Sequence, residues 1–275
     1  MKIDSHHHFW NYDPVEYSWM NENMGALKRD FGPPDLKKEI DAVEIDGVVS
    51  VQASQTLGET EALLKHALDE DFIKGVVGWF PLAADNLEEV IAPYAENALL
   101  KGVRHVVQDE PDDHFILDAD FNRGVSRLGE FGLVYDILIY ERQLAPSIEF
   151  VDRHPDLVFV LDHVAKPRIR DNLMEPWDTL MKQMAERPNV SCKLSGMATE
   201  GDWENWTEDQ LTPYMEIALD AFGPSRLMFG SDWPVALLAI EYQPWVGMVR
   251  QFISTLSEDE QAAIEGGTAC RVYGL

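Results

Sequence analysis

Short apolar runs rich in β-branched residues alternate along the chain with longer amphipathic stretches. The runs that predict β-strands are, in order, Lys2–Ser5, Asp46–Val51, Lys74–Phe80, Gly102–Val107, Leu133–Ile139, Leu157–Leu161, Asn189–Leu194 and Arg226–Phe229. They are apolar on both faces, which is typical of parallel strands covered by helices. Eight strands separated by helices predict an α/β fold, a (β/α)8 barrel, although an open doubly wound sheet would give the same alternation.

The stretches between the predicted strands carry the signals of amphipathic helices. Apolar residues recur at helical spacing over 211–222, and Thr207 precedes them as an N-cap. Ser257 and Glu260 have the spacing of a capping box. Pro93 weakens the helix prediction after the third strand, because a proline inside a helix removes one backbone hydrogen bond.

The chain length fits one barrel, since a (β/α)8 domain typically takes about 250 residues and this chain has 275. No segment has the composition of a linker, so we expect a single domain over residues 1–275. The longest irregular stretch covers residues 9–34, directly after the first strand. Its aromatic residues predict a lid over a site rather than a linker. These are Trp10, Tyr12, Tyr17 and Trp19.

The charge balance narrows the range of partners. The chain has 49 acidic and 22 basic residues, a formal net charge of −27 at pH 7. This field repels phosphate backbones and anionic lipids, so neither nucleic acid nor a membrane is expected as a partner, whereas a homo-oligomer stays open. Two cysteines do not make a disulfide framework, and the first residues lack the apolar core of a signal peptide. A cytoplasmic location is therefore expected.

A run of three histidines follows the first predicted strand. Alternate side chains of an extended chain share a face, so His6 and His8 point one way and His7 the other. At the C-terminal end of a barrel strand, such a pair can present two imidazoles to one metal ion or one substrate carbonyl. A purification tag or a chance run is the alternative, and the embedding in apolar sequence argues against it.

Two further polar residues end predicted strands. His163, in the segment Leu161–Pro167, ends the sixth strand and can meet the first pair across the barrel mouth. The alternative is a buried structural histidine. Asp232, in the segment Met228–Pro234, ends the eighth strand, where it can ligate a metal ion or take a proton from water. Its alternative is the N-cap of the next helix.

Taken together, these motifs resemble the amidohydrolase superfamily, which places a His-x-His on strand one, a His on strand six and an Asp on strand eight. The resemblance is closer to its lactonase branch, the L-fuconolactone and L-rhamnonolactone hydrolase type. Further segments resemble that branch, and the match spans nearly the whole chain. They are Val51–Ala53 with Glu59–Thr60, Lys101–His105, Cys192–Gly196 and Gly267–Leu275.

The resemblance has one departure, and it concerns metal. Binuclear members carry a bridging Lys or Glu on strand four and a His on strand five, and neither is visible here. We therefore expect no metal or one divalent ion, Zn2+ being the best candidate, held by His6, His8, His163 and Asp232. The lactonase branch includes metal-independent catalysts, so these four side chains do not prove a metal.

The resemblance implies a hydrolase of carbohydrate metabolism that opens a small sugar lactone to its hydroxy acid. In this interpretation Asp232 deprotonates water, while His6, His8 and His163, or a metal ion they hold, polarise the carbonyl. The alternatives are a mononuclear-metal nonoxidative decarboxylase and a non-catalytic ligand-binding barrel.

Four more residues are candidates for substrate binding. Arg104 and Gln52 could orient hydroxyls, Lys193 could donate to a developing oxyanion, and Trp10 lies beside the histidine run. Three of them also have a structural alternative: a surface ion pair for Arg104, a satisfied core amide for Gln52 and a pair with an aspartate for Lys193.

Overall fold

The eight strands of the computed structural model pair in chain order, each parallel to the next, and all residues from 1 to 275 are described. Each predicted strand is present, with its ends shifted by no more than a few residues. The strands are β1 Ile3–His7, β2 Gly47–Val51, β3 Ile73–Gly78, β4 Leu100–Val106, β5 Val134–Leu138, β6 Phe159–Leu161, β7 Val190–Leu194 and β8 Leu227–Phe229.

The end of β8 meets β1, and this contact closes the sheet into a barrel. The His8 amide donates to the Trp233 carbonyl over 2.7 Å, and the Asp232 amide donates to the His6 carbonyl over 2.8 Å. His7 and Trp233 form a parallel bridge at the same place. The predicted (β/α)8 barrel is therefore confirmed, and the open doubly wound sheet is wrong.

Helices follow the strands and cover the outside of the barrel. They are α1 Pro33–Ala42, α2 Leu57–Asp69, α3 Leu87–Ala95, α4 Ala119–Arg127, α5 Leu144–Arg153, α6 Trp177–Ala185, α7 Glu208–Phe222, α8 Tyr242–Ile253, α9 Glu258–Ala262 and α10 Thr268–Tyr273. A capping box begins α9 at Ser257, as the spacing predicts, and the predicted N-cap Thr207 begins α7, where it also forms a capping box with Gln210. Pro93 lies inside α3, close to its C-terminal end, where the helix loses only one backbone bond. None of these helices is both long and apolar enough to cross a bilayer.

Two groups of buried apolar residues divide the core. The larger group has 65 members and joins the strands to the helices around them. The smaller has 9 members and joins six strands to Ala269 and Tyr273 of α10. The C-terminal helix thus packs against one end of the barrel, while the polar residues that follow the strands gather at the other.

Candidate active site

A cavity of about 670 Å³ opens at the C-terminal ends of the strands. His8, Arg104, His163 and Asp232 line it, and each lies near the C-terminal end of a different strand or shortly after it. The predicted lid also contributes lining residues, since Val15, Glu16, Ser18, Trp19 and Met24 face the cavity. This volume suits a small molecule such as a single sugar ring.

Of the four residues predicted to be catalytic, the three histidines lie around one carboxylate oxygen of the fourth, Asp232. Asp232 Oδ1 is 3.3 Å from His8 Nε2 and 3.8 Å from both His6 Nε2 and His163 Nε2. The two strand-one imidazoles approach each other to 3.3 Å between their Nε2 atoms. His7 points away, to a 2.9 Å contact with Ser50 Oγ. The sequence alternation therefore placed these side chains correctly, and their catalytic roles stay predictions.

The backbone holds two of these residues in the left-handed region. Asp232 has a φ of 58°, and the run His163–Lys166 has φ values of 52°, 46°, 59° and 47°. Left-handed geometry costs a non-glycine residue roughly 1–2 kcal/mol. Such strain persists only where the surroundings enforce it, and it concentrates at functional sites. Here the turn brings both His163 and Lys166 to the cavity lining.

The orientation of His8 leaves electron-rich atoms facing one another. Its Nδ1 lies 2.8 Å from the Val51 carbonyl, which can only accept, so Nδ1 carries a proton. In the neutral ring Nε2 then presents a lone pair to Asp232 and His6. The Nε2 of His6 in turn lies 3.2 Å from Arg104 Nη1, which can only donate to it. A cation between these lone pairs would stabilise the arrangement, and at His6 Nε2, which has a single lone pair, it would replace the Arg104 donor.

The donor set of His6, His8 and Asp232 fits one divalent ion. Ligands about 2.0–2.1 Å from a tetrahedral Zn2+ lie roughly 3.3 Å apart. The three separations here are 3.3, 3.3 and 3.8 Å, and all three atoms fall within one potential metal-binding group. Two imidazole nitrogens and a carboxylate oxygen are also ligands that zinc accepts.

A second group of potential ligands, His6 with Asp162 and His163, is already occupied by the protein's own cations. Lys193 Nζ lies 2.9 Å from Asp162 Oδ1, and Arg104 Nη1 lies 3.0 Å from Asp162 Oδ2. Burial raises the pKa of Asp162, but Lys193, His6 and Arg104 outweigh it and hold that pKa well below its usual value. The carboxylate thus has its countercharge without a second ion.

The pKa shifts at the cavity floor favour an ionised Asp232 carboxylate beside neutral His6 and His163 rings. Burial raises the pKa of Asp232, but His163 and His8 outweigh it and lower the pKa below its usual value. Burial lowers the pKa of His163 to about 4 and lowers that of His6 well below its usual value. A carboxylate that is ionised in a desolvated site can accept a proton, which is what a general base requires.

The structure separates the four predicted substrate-binding residues. Arg104 lines the cavity, whereas Trp10, Gln52 and Lys193 do not. Trp10 Nε1 donates to the carbonyls of Leu27 (3.2 Å) and Arg29 (2.9 Å) at the base of the lid. The cavity lining therefore does not support direct contact of substrate with Trp10, Gln52 or Lys193.

Gln52 and Lys193 hold the floor of the site from below. The Gln52 amide donates to the Arg104 carbonyl over 3.3 Å, and the Arg104 guanidinium donates back to the Gln52 carbonyl. Lys193 is fully buried, with Nζ 2.6 Å from Asp136 Oδ2 and 3.1 Å from His6 Nδ1. The pair with an aspartate therefore describes Lys193 better than substrate binding does, whereas the Gln52 amide is only half satisfied, because its Oε1 is buried without a partner.

Several cavity residues were missed by the sequence reasoning. Gln108, Tyr140, Lys166 and Glu200 all line the cavity. Two of them had a usable signal, because Tyr140 follows β5 and Lys166 lies three positions after His163. Glu200 stands in the loop after β7, where neither periodicity nor a motif marks it.

Gly196 offers a test of how tightly the site is packed. It has a φ of +61°, and a Cβ there would lie 2.6 Å from His163 Nδ1 and 3.0 Å from Asp232 Oδ2. We expect Gly196→Ala to displace both side chains and to lower kcat by about 100-fold, since small misplacements have that effect. Steady-state kinetics on the substrate would measure the change.

Gly132→Ala is the matched control. Its φ of +68° and ψ of 23° lie in the left-handed region, which also strains an alanine, but no atom lies within 4 Å of the added Cβ. Equal losses of kcat in the two variants would mean that strain, and not displacement of His163 and Asp232, causes the effect.

The sequence matches one protein family over nearly its whole length. The family model described as amidohydrolase matches residues 3–275. The chain is 42% identical to an L-fucono-1,5-lactonase of Burkholderia multivorans and 35% identical to one of Burkholderia ambifaria, each match covering 100% of this chain and 96% of the relative. A crystal structure of an amidohydrolase from Burkholderia multivorans with bound Zn superposes with a TM-score of 0.97 at 42% identity, covering 100% of this chain and 99% of that one.

Proposed function

This chain belongs to the amidohydrolase family, and on that premise we propose that it hydrolyses a sugar lactone of the L-fucono-1,5-lactone type to its hydroxy acid. The observation that carries the proposal is the Asp232 carboxylate at the cavity floor, surrounded by three imidazoles within 3.8 Å. The two Burkholderia lactonases support the substrate class, because they match the chain over its full length.

The reaction needs an activated water, a stabilised carbonyl oxygen and a proton for the leaving oxygen. Asp232 accepts a proton from water as the water oxygen bonds to the carbonyl carbon of the lactone. The Arg104 guanidinium, at the cavity beside His6, stabilises the negative charge that develops on the carbonyl oxygen. Asp232 then returns its proton to the ring oxygen as the bond between that oxygen and the carbonyl carbon breaks.

His6, His8 and Asp232 would hold one divalent ion, and Zn2+ is the ion that we propose. When bound, such an ion supplies further polarisation of the lactone carbonyl. The His8–Val51 contact fixes that ring with Nε2 towards the carboxylate, and Ser195 Oγ fixes His163 through a 2.8 Å contact with Nδ1. The imidazole distances of 3.3 to 3.8 Å are to Asp232 Oδ1, and we assign the proton transfer to Oδ2.

A panel of aldonolactones, followed with a pH indicator, tests this function. We expect acid release above the spontaneous rate with L-fucono-1,5-lactone and its stereoisomers, and a parallel assay with chelator measures the metal requirement. No acceleration of any lactone, together with CO2 release from an aromatic carboxylic acid, would favour the nonoxidative decarboxylase instead. No reaction with either class would favour the ligand-binding barrel.

The metal content follows from the charge arrangement. We expect at most one divalent ion for each chain, because Lys193 and Arg104 already neutralise Asp162. Elemental analysis of purified, active protein measures the ratio. Two ions bound to each active chain would contradict both the single site and the role assigned to the two cations.

A further inference from the structure

Lys166 and Glu200 face each other in the cavity wall. The distance from Lys166 Nζ to Glu200 Oε1 is 3.9 Å, and the two side chains are only 17% and 20% exposed. The two charged groups do not hydrogen-bond to each other, since 3.9 Å exceeds hydrogen-bond length. The cavity therefore contains a donor and an acceptor that are largely removed from water and are not satisfied by each other.

The spacing of this pair suits a bridging hydroxyl. If an oxygen lies about 2.8 Å from both Nζ and Oε1, the angle at that oxygen between the two contacts is roughly 90°. A sugar hydroxyl placed there can accept from the ammonium and donate to the carboxylate at the same time. A carbonyl or ether oxygen can do only the first, and an apolar group can do neither.

Among the cations of the cavity lining, Lys166 has the hydrogen-bond donors that are most available to a ligand. Arg104 is the other strong base in the cavity lining, but Asp162, His6 and the Gln52 carbonyl already engage three of its five donors. Lys166 has only the face of the Tyr140 ring, 5.4 Å from Nζ, besides Glu200. The left-handed turn that carries His163 also carries Lys166, so the ammonium is fixed relative to the reacting centre.

We propose that Lys166 and Glu200 are the pair that determines substrate specificity, by binding one ring hydroxyl of the lactone between Nζ and Oε1. The inference rests on the proposed lactonase function. A lactone without that hydroxyl leaves both charged groups desolvated and unpaired. Sites built to hydrogen-bond a substrate hydroxyl discriminate against analogues without it by about 10,000-fold or more.

The test compares Lys166→Gln, Glu200→Gln and the double variant on two substrates, L-fucono-1,5-lactone and unsubstituted δ-valerolactone. We expect each single variant to lose at least about 100-fold in kcat/KM on the hydroxylated lactone, a loss at least tenfold greater than that on δ-valerolactone. The double variant should lose little more than the worse single one, because both changes remove the same bridge. Lys182→Gln is the matched control, since Lys182 is 56% exposed and pairs with Asp178 on α6.

The outcomes distinguish a failure of this specificity role from a failure of the proposed lactonase function. Losses that differ by less than tenfold between the two lactones would overturn the specificity role, because a group needed for chemistry or folding affects both. If a variant fails to fold, wild-type kinetics on lactones lacking one ring hydroxyl at a time decide the matter. At least one of them should lose at least about 100-fold, and uniform rates would overturn the inference. A wild-type protein that accelerates no lactone would instead overturn the proposed function itself.

Discussion

Asp232→Asn is expected to lower the kcat of lactone hydrolysis by about 100- to 10,000-fold, the usual contribution of a general base. Asparagine keeps the volume of the side chain and one acceptor oxygen, but its amide cannot take a proton from water. KM should change little, because the substitution leaves the cavity walls in place. Steady-state kinetics with a pH indicator, set against the spontaneous rate of ring opening, would measure the loss.

The structural alternative for Asp232 predicts a different result. Asparagine caps a helix about as well as aspartate, so a mere cap would tolerate the change. Asp171→Asn is a suitable control, because Asp171 lies outside the cavity in an exposed pair with Arg168. The thermal midpoints of both variants should stay near that of the wild type. A folded Asp232→Asn protein with near wild-type kcat would remove Asp232 from the mechanism.

The barrel and the cluster at its mouth could be predicted because both follow from local patterns. Buried parallel strands are apolar on both faces, and their C-terminal ends all meet at one rim. A polar residue that directly follows such a strand must therefore reach that rim. His163 and Asp232 satisfy this rule, and strand alternation adds His6 and His8 while excluding His7.

The remaining features depend on contacts that local patterns do not encode. The left-handed turn at His163–Lys166 contains no glycine or asparagine to announce it. Lys193 looked like a residue that could reach substrate because it lies near the end of β7. Whether its ammonium points to the cavity or below it depends on Asp136 and Asp162, which come from other parts of the barrel.

A cluster of buried charges lies below the site, and the loss of its lysine should strongly lower the free energy of unfolding. Lys193 Nζ contacts Asp136 Oδ2 at 2.6 Å and Asp162 Oδ1 at 2.9 Å, and all three side chains have no exposed surface. Tyr273 of the C-terminal helix donates to Asp136 Oδ2 over 2.8 Å. Burial raises the pKa of Asp136 to about 6 even though Lys193 opposes the shift. Lys193 therefore supplies the positive charge that stabilises the two desolvated carboxylates.

Lys193→Met is expected to lower the free energy of unfolding by about 3–5 kcal/mol, the usual effect of removing one partner from a buried ion pair. Methionine nearly preserves the volume, so the loss reports uncompensated charge rather than a cavity. Urea denaturation at neutral pH would measure it. Lys182→Met, which removes an exposed pair with Asp178, should change stability by no more than about 1 kcal/mol.

A second substitution distinguishes lost charge from lost packing. Adding Asp136→Asn to Lys193→Met removes one of the two stranded carboxylates, so part of the lost stability should return. If lost packing were the cause, the double variant would be no more stable than the single one. A Lys193→Met protein as stable as the wild type would show that the two aspartates do not depend on this lysine, and the explanation of why Asp162 needs no second metal ion would fail with it.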